Sequence, residues 1–313
     1  MALQQVLEIY ELLDSAVVTG KMVADLLQAR GANQVEVTTI EGQKGTTDFL
    51  KIIIPGTRGK QGGGSSRTLG ILGRLGGIGA RPEHIGLVSD GDGAVTALAA
   101  ALKLLDMQRK GDSLPGDVII GTHICPDAPV IPHKPVDFMD SPVDMQAMNC
   151  HEVDPQMDAI LSIDTTKGNR ILNVKGFAIS ASVKEGYILR ISEDLVRIME
   201  ITSGKPAVIL PITMQDITPY GNDVFHINSI MQPSVATDVP VVGVAMTTAT
   251  IVPGCASGAS HVIDIEVAVR FCIEVAKEFG AGLCQFYDEG EFQRLVQLYG
   301  SMKHLQTLPS NEQ

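Results

Sequence analysis

One stretch limits this chain more than any other. A short apolar run, His84-Ile-Gly-Leu-Val-Ser89, ends abruptly in Asp90-Gly91-Asp92-Gly93 and passes at once into an unbroken helical pattern from Ala94 to Leu105. A strand that carries carboxylates to its C-terminal end, with glycines allowing a tight turn into a helix, is where open α/β sheets place their chemistry. The design recurs. Asp117 to Thr122 reads as a buried strand that empties into His123-Ile-Cys125-Pro-Asp127, and Ala159 to Ile163 is an apolar strand ending in Asp164.

Around these runs, strand and helix patterns alternate. Leu3 to Leu13 and Gly20 to Arg30 have helical spacing; Val35 to Ile40 alternates as a strand, and Phe49 to Ile54 is a more fully apolar one. Ser65 or Ser66 is placed to cap a helix running through Leu75. Farther on, strands are expected within Ile171 to Ser182, at Pro206 to Ile212 and at Val239 to Met246. Helices are expected at Ile191 to Thr202, from Gly221, at Asp264 to Phe279 and at Glu291 to Lys303. The segment leading to Pro155 carries prolines at 126, 129, 132, 135, 142 and 155, which predicts a long irregular loop of the kind that more often than not has a function. The alternation predicts a three-layer α/β fold with a central, mostly parallel or mixed sheet of about six to eight strands. No linker divides it, so residues 1–313 read as one α/β domain.

Charge and composition remove several classes. A formal net charge of −12 leaves no basic stripe to meet phosphates, which argues against nucleic acid as a partner. An aromatic fraction of 4% without tryptophan weakens recognition by stacking. No apolar run reaches the roughly 18 residues needed to span a bilayer, and the first residues lack the basic start of a signal peptide. Five cysteines, an odd number with no C-x-x-C, fit reduced thiols, so the expected setting is cytoplasmic, with no membrane partner.

Chemistry-bearing residues cluster at the predicted strand ends and in loops: Asp90, Asp92, His123, Asp127, His133, Asp164, Asp223, His226 and His261. Carboxylates and imidazoles at the ends of separate strands suit zinc or another divalent ion, because the ligand types fit and a sheet edge brings distant positions together. The competing reading for each strand-terminal Asp is a turn or cap residue; Asp92, one residue into the helix turn, is expected to act mainly as a cap worth ~1 kcal/mol. The glycine-rich stretch Gly56 to Arg67 reads either as a mobile surface loop or as an anion cradle of backbone N–H groups aided by Arg58, Lys60 and Arg67. It lacks the Gly-Lys-Ser/Thr tail of a P-loop.

The order of the pieces resembles the dinuclear-metal aminopeptidases, in particular their tetrahedral, glutamyl or deblocking type. The resemblance rests on the N-terminal helix pair, a strand running to Pro55-Gly56, the Asp90 turn before a small-residue helix, a strand ending in Asp164, Val174-Lys-Gly176, Gly221-Asn-Asp223 and Gly258-Ala-Ser-His261. The chain also resembles a bacterial and archaeal family described only as a domain of unknown function. The first resemblance implies a zinc-peptidase-like fold, with Asp90 as bridging carboxylate, Asp164 as ligand of one metal and His261 as ligand of the other. Two departures stand out. The family's first His falls at Thr57, and its Glu-Glu pair falls around Cys125-Pro-Asp127, where His123, Cys125 and Asp127 are left to supply base or ligand chemistry. The inserted dimerisation domain of the tetrahedral enzymes is absent, since Gly91 follows Thr57 by only 34 positions.

The function expected from this is a metal-dependent hydrolase acting on a small peptide or amide. Its single zinc, manganese or cobalt ion would be held by Asp90, Asp164 and His261, with Asp92 beside them and His123 or Asp127 completing the shell. The alternative is a non-catalytic descendant that binds a small molecule or partner. A third reading, a haloacid-dehalogenase-type phosphatase with Asp90 as nucleophile and Asp92 as acid, conflicts with Ala94 where that motif has Thr. A homo-oligomer, most simply a two-fold dimer, is the expected assembly.

Overall fold

The computed structural model describes residues 1–74, 76–219 and 229–308. Helices α1 (Leu3–Leu13) and α2 (Gly20–Ala29) precede a long hairpin, β1 (Gln34–Gly42) and β2 (Gly45–Ile54). Next come β3 (Leu69–Gly73), α3 (Asp92–Arg109), β4 (Val118–Ile124), the short strands β5 (Val130–Ile131) and β6 (Phe138–Met139), and α4 (Met145–Glu152). The second half comprises β7 (Ala159–Thr165), β8 (Gly176–Ser180), β9 (Val183–Lys184), β10 (Tyr187–Ile188), α5 (Glu193–Ser203), β11 (Ile209–Leu210), β12 (Val241–Thr247), α6 (Val262–Ala281) and α7 (Glu289–Tyr299).

A ten-stranded sheet, larger than the sequence predicts, runs β1-β2-β4-β3-β7-β12-β8-β11, with β9 joined to β12 and β10 to β9. Its centre, β4, β3, β7 and β12, is parallel, and both flanks include antiparallel pairs. Period-two alternation divides each central strand between two cores. Ile71, Ile120, Leu161 and Val244 face one core with α1, α3 and α6, whereas Leu72, Ile119, Ile160 and Ala245 face the other. The fold is therefore the expected three-layer α/β type with a mixed sheet. No described helix is long and apolar enough to cross a membrane.

Helix α3 lies between the sheet and helices α1 and α6, and its residues from Asp92 to Leu102 are all buried. A helix covered on all sides has no polar stripe, and its alanines let the neighbouring helices approach closely.

Two elements differ from expectation. The predicted helix through Leu75 is instead the central strand β3, buried along its whole length. A methyl group at Gly70 would lie 2.4 Å from Met157 Sδ, and one at Gly73 2.6 Å from the Gly93 carbonyl oxygen, so these glycines admit close neighbours. The predicted strand His84 to Ser89 is not a strand. Gly86 has φ +84°, Leu87 N–H donates to Asp14 Oδ1 at 2.6 Å, and a 3₁₀ turn covers Ser89–Gly91. The helix expected from Gly221 falls largely outside the described residues, as do Asp223 and His226. Within the proline-rich segment, α4 is an addition that the prolines obscure, capped by Asp144, which accepts from Ala147 N–H at 2.8 Å.

The glycine-rich loop does cradle an anion, and that anion belongs to the chain. Gly56 N–H and Gln61 N–H donate to the two oxygens of the buried Asp117 carboxylate at 2.8 and 2.9 Å. Lys60 pairs with Asp158, and Arg67 sits over the Phe279 ring. A methyl group at Gly59 would lie 1.8 Å from Asp117 Oδ1. Gly59→Ala should consequently cost about 1–3 kcal/mol, the usual penalty of overpacking, read as a lower urea midpoint; an unchanged midpoint would show that the loop is not locked on Asp117.

Candidate active-site cavity

The parallel strands β3, β4, β7 and β12 end along one edge of the sheet, and there a cavity of about 420 Å³ opens. Asp164 enters it from the end of β7, and Asp90 from the 3₁₀ turn before α3. The turn is tied down: Ser89 N–H donates to Ser257 O at 2.6 Å, Asp90 N–H to Cys255 O at 3.2 Å, and Thr165 Oγ1 to Ser89 O at 2.6 Å. Both carboxylates are oriented by neutral donors. Gly76 N–H and Gly77 N–H approach Asp90 Oδ2 at 2.6 and 3.3 Å; Thr165 N–H and Ser229 Oγ donate to Asp164 at 2.7 and 2.6 Å.

Around the pair stand two buried cations, each already matched. Arg74 forms an ion pair with Glu152 and donates to Asn149 Oδ1 at 3.1 Å, which fixes α4 over the cavity. Lys167 Nζ lies 2.5 Å from Asp92 Oδ2, and Ser260 Oγ donates to Asp92 Oδ1 at 2.6 Å. Asp90 and Asp164 remain. Among the described residues neither forms an ion pair, and burial raises the pKa of both. For Asp164, burial and then the neighbouring Asp90 push the carboxyl up to about 7. Burial, and next the charge of Asp90, also push the Cys255 thiol up, so it faces the pair as a neutral SH.

Other sequence candidates go elsewhere. Asp92 and His261 do not line the cavity. Asp92 is engaged by Lys167 and Ser260 and makes no helix-capping bond, contrary to the cap role expected of it. His261 is exposed at the start of α6, near enough to Asp92 to favour its charged form. His123 is buried against Thr47 Oγ1, at 2.7 Å, and stacks on Phe49. Cys125 is buried beside Asp127, at 3.6 Å, its thiol pushed up to about 12 chiefly by burial, and Asp127 is exposed. His133 is exposed and bonded to the Val136 carbonyl. Among the described residues no three of His, Cys, Asp and Glu are gathered so as to hold a metal ion. Arg74, Lys167, Ser229 and Cys255 are the cavity residues that sequence reasoning passes over.

A family model described as "Protein of unknown function (DUF1177)" matches residues 38–309. The chain belongs to the DUF1177 family. No curated protein matches it. Among solved structures, this DUF1177 member is similar to a glutaminyl cyclase from an Acidobacteriales bacterium, with TM-score 0.51 and 12% identity over 90% of this chain and 94% of that one. It is also similar to a leucine aminopeptidase of Caenorhabditis elegans, with TM-score 0.52 and 12% identity over 91% of this chain and 66% of that one. A cytosol aminopeptidase from Coxiella burnetii gives TM-score 0.50 and 12% identity over 88% and 68%. At such identities the likeness is one of fold, and this DUF1177 chain has the aminopeptidase-like fold.

Proposed function

We propose that this protein is a hydrolase of small amides or peptides in which Asp90 and Asp164 together hold one divalent cation. The observation that carries the reading is a charge balance: Arg74 is matched by Glu152 and Lys167 by Asp92, leaving two adjacent buried carboxylates that form no ion pair among the described residues, with only the field of the already paired Arg74 partly offsetting the charge of Asp164. Buried charge is kept only when it is paired or neutralised, and a single divalent ion supplies the missing two units. The donor set fits an oxygen-preferring ion. Two carboxylates, with water and substrate completing the shell, is how such cations are commonly held, which favours manganese over zinc or cobalt. His261 and Asp92 have no part in this set.

When bound, such an ion would polarise the amide carbonyl and ease ionisation of water. The chain's own groups do the positioning. Gly76 N–H, Thr165 N–H and Ser229 Oγ fix the carboxylates, while the Arg74–Glu152 pair holds α4 over the ligand space.

The second reading, a non-catalytic ligand-binding descendant, draws support from one observation: none of His123, Cys125 and Asp127, the residues expected to provide a base, lines the cavity. Elemental analysis of protein purified without chelator, together with turnover of a panel of amino-acid anilides and amides, separates the two. About one divalent ion per chain, lost in Asp90→Ala, with cation-dependent turnover supports the hydrolase; the ion without turnover supports the binding protein. Equal metal content in wild type and Asp90→Ala sinks the cation site.

A further inference from the structure

We infer that the cavity at the carboxylate pair continues into a second, outer depression, and that the two together receive an extended peptide with a non-acidic distal part; this rests on the hydrolase reading above. The outer depression, about 860 Å³, lies between the β1–β2 turn and the segment leading into α4. Asp140, Ser141, Met145 and Met148 line both spaces, so a ligand that fills the inner one meets the outer one across these side chains. The inner cavity alone is within the range of roughly 300–1,000 Å³ typical of small-ligand pockets, and the outer one is larger. A single amino-acid amide would leave the outer space unused.

The partition is built to yield. Lys44 Nζ pairs with Asp140 Oδ2 at 2.6 Å, and the Lys44 side chain is 56% exposed; exposed pairs of this kind contribute little and open readily. The β1–β2 turn also meets this segment through Lys44 N–H, which donates to Pro142 O at 3.3 Å, and through the close approach of Gly42 to Pro142. Ile40, Val143 and Met148 give the outer space an apolar floor. Its rim sets Glu41, Asp140 and Asp144 against Lys44, and the chain carries a net charge of −12. A basic side chain on the ligand can take the place of the Lys44 ammonium on Asp140, whereas an acidic one meets like charge.

Isoleucine δ1-methyl NMR of the full chain with magnesium, a diamagnetic cation, tests this, because Ile131 lines only the inner space and Ile40 only the outer. Alaninamide should shift Ile131 alone. The peptide Ala-Ala-Lys-Ala should shift both methyls with one saturation curve and bind about fivefold more tightly than Ala-Ala-Glu-Ala, the size of one exposed ion pair. Asp140→Asn should erase that preference, bringing Ala-Ala-Lys-Ala and Ala-Ala-Glu-Ala to the same affinity. Shifts at Ile131 without Ile40 in the tetrapeptide complexes, or different saturation curves for the two methyls, would overturn the extension and leave the hydrolase reading intact. No shift of either methyl with any probe would remove both.

Discussion

Asp164→Asn should make the chelator-treated protein more stable at pH 8 than the wild type, and at the same time abolish its stabilisation by manganese. The Asp164 carboxyl is pushed from its ordinary value of 3.8 up to about 7 in the fold, chiefly by burial and then by Asp90. Between those two values the folded state binds more protons than the unfolded one, so stability falls as pH rises from about 4 to about 7 and the whole cost is present above it. Roughly three units correspond to an order of 4 kcal/mol. Asparagine removes the titrating charge and keeps the partners, since its carbonyl oxygen still accepts from Thr165 N–H and the Ser229 hydroxyl can turn to accept from the amide. Thermal melts across pH 4–8 with and without manganese provide the check. Equal pH slopes for the two proteins would mean that the carboxylate pair is already neutralised, and equal stabilisation by manganese would place the cation elsewhere.

An effect of comparable size and opposite sign, a loss of stability, is expected from Asp92→Ala. Read as a helix cap, Asp92 is worth ~1 kcal/mol, but its carboxylate lies 2.5 Å from Lys167 Nζ, and both groups are buried. Truncating one member leaves the other as an unpaired interior charge, which typically costs about 3–5 kcal/mol. The double variant Asp92→Ala, Lys167→Met should recover much of that loss, because it takes both charges out of the interior. Urea titrations with an unchanged slope would report it as a shift in midpoint. If Asp92→Ala lowers stability by no more than a cap's worth, the ion pair is wet and the charge balance around Asp90 and Asp164 must be redrawn.

The elements with one strong local signal were legible. β7 with Asp164 at its C-terminal end, the small-residue helix α3, and helix α5, whose cap Ser192 accepts from Leu195 N–H through its Oγ, all fall where the patterns put them. The errors come from places where tertiary packing outweighs pattern. Leu69-Gly-Ile-Leu-Gly73 is a short apolar run without period, and only its burial between β4 and β7 makes it a strand. In β4, Thr122 and His123 point to opposite faces: Thr122 Oγ1 donates to Gly73 O, while His123 meets Thr47. The sequence reveals the alternation but not which face holds the site. Arg74 and Lys167 were not legible because their importance depends on Glu152 and Asp92, which are 78 and 75 residues away along the chain.

The Asp117 carboxylate held by the N–H groups of Gly56 and Gln61 bears on how the chain behaves toward outside anions. A tethered group competes as though present at an effective concentration of the order of millimolar or above. A free phosphate would have to displace that resident before reaching the same donors. The loop is thus a receptor saturated by its own chain, in which three nearby basic residues and a run of glycines advertise an affinity already spent on holding the neck of β4.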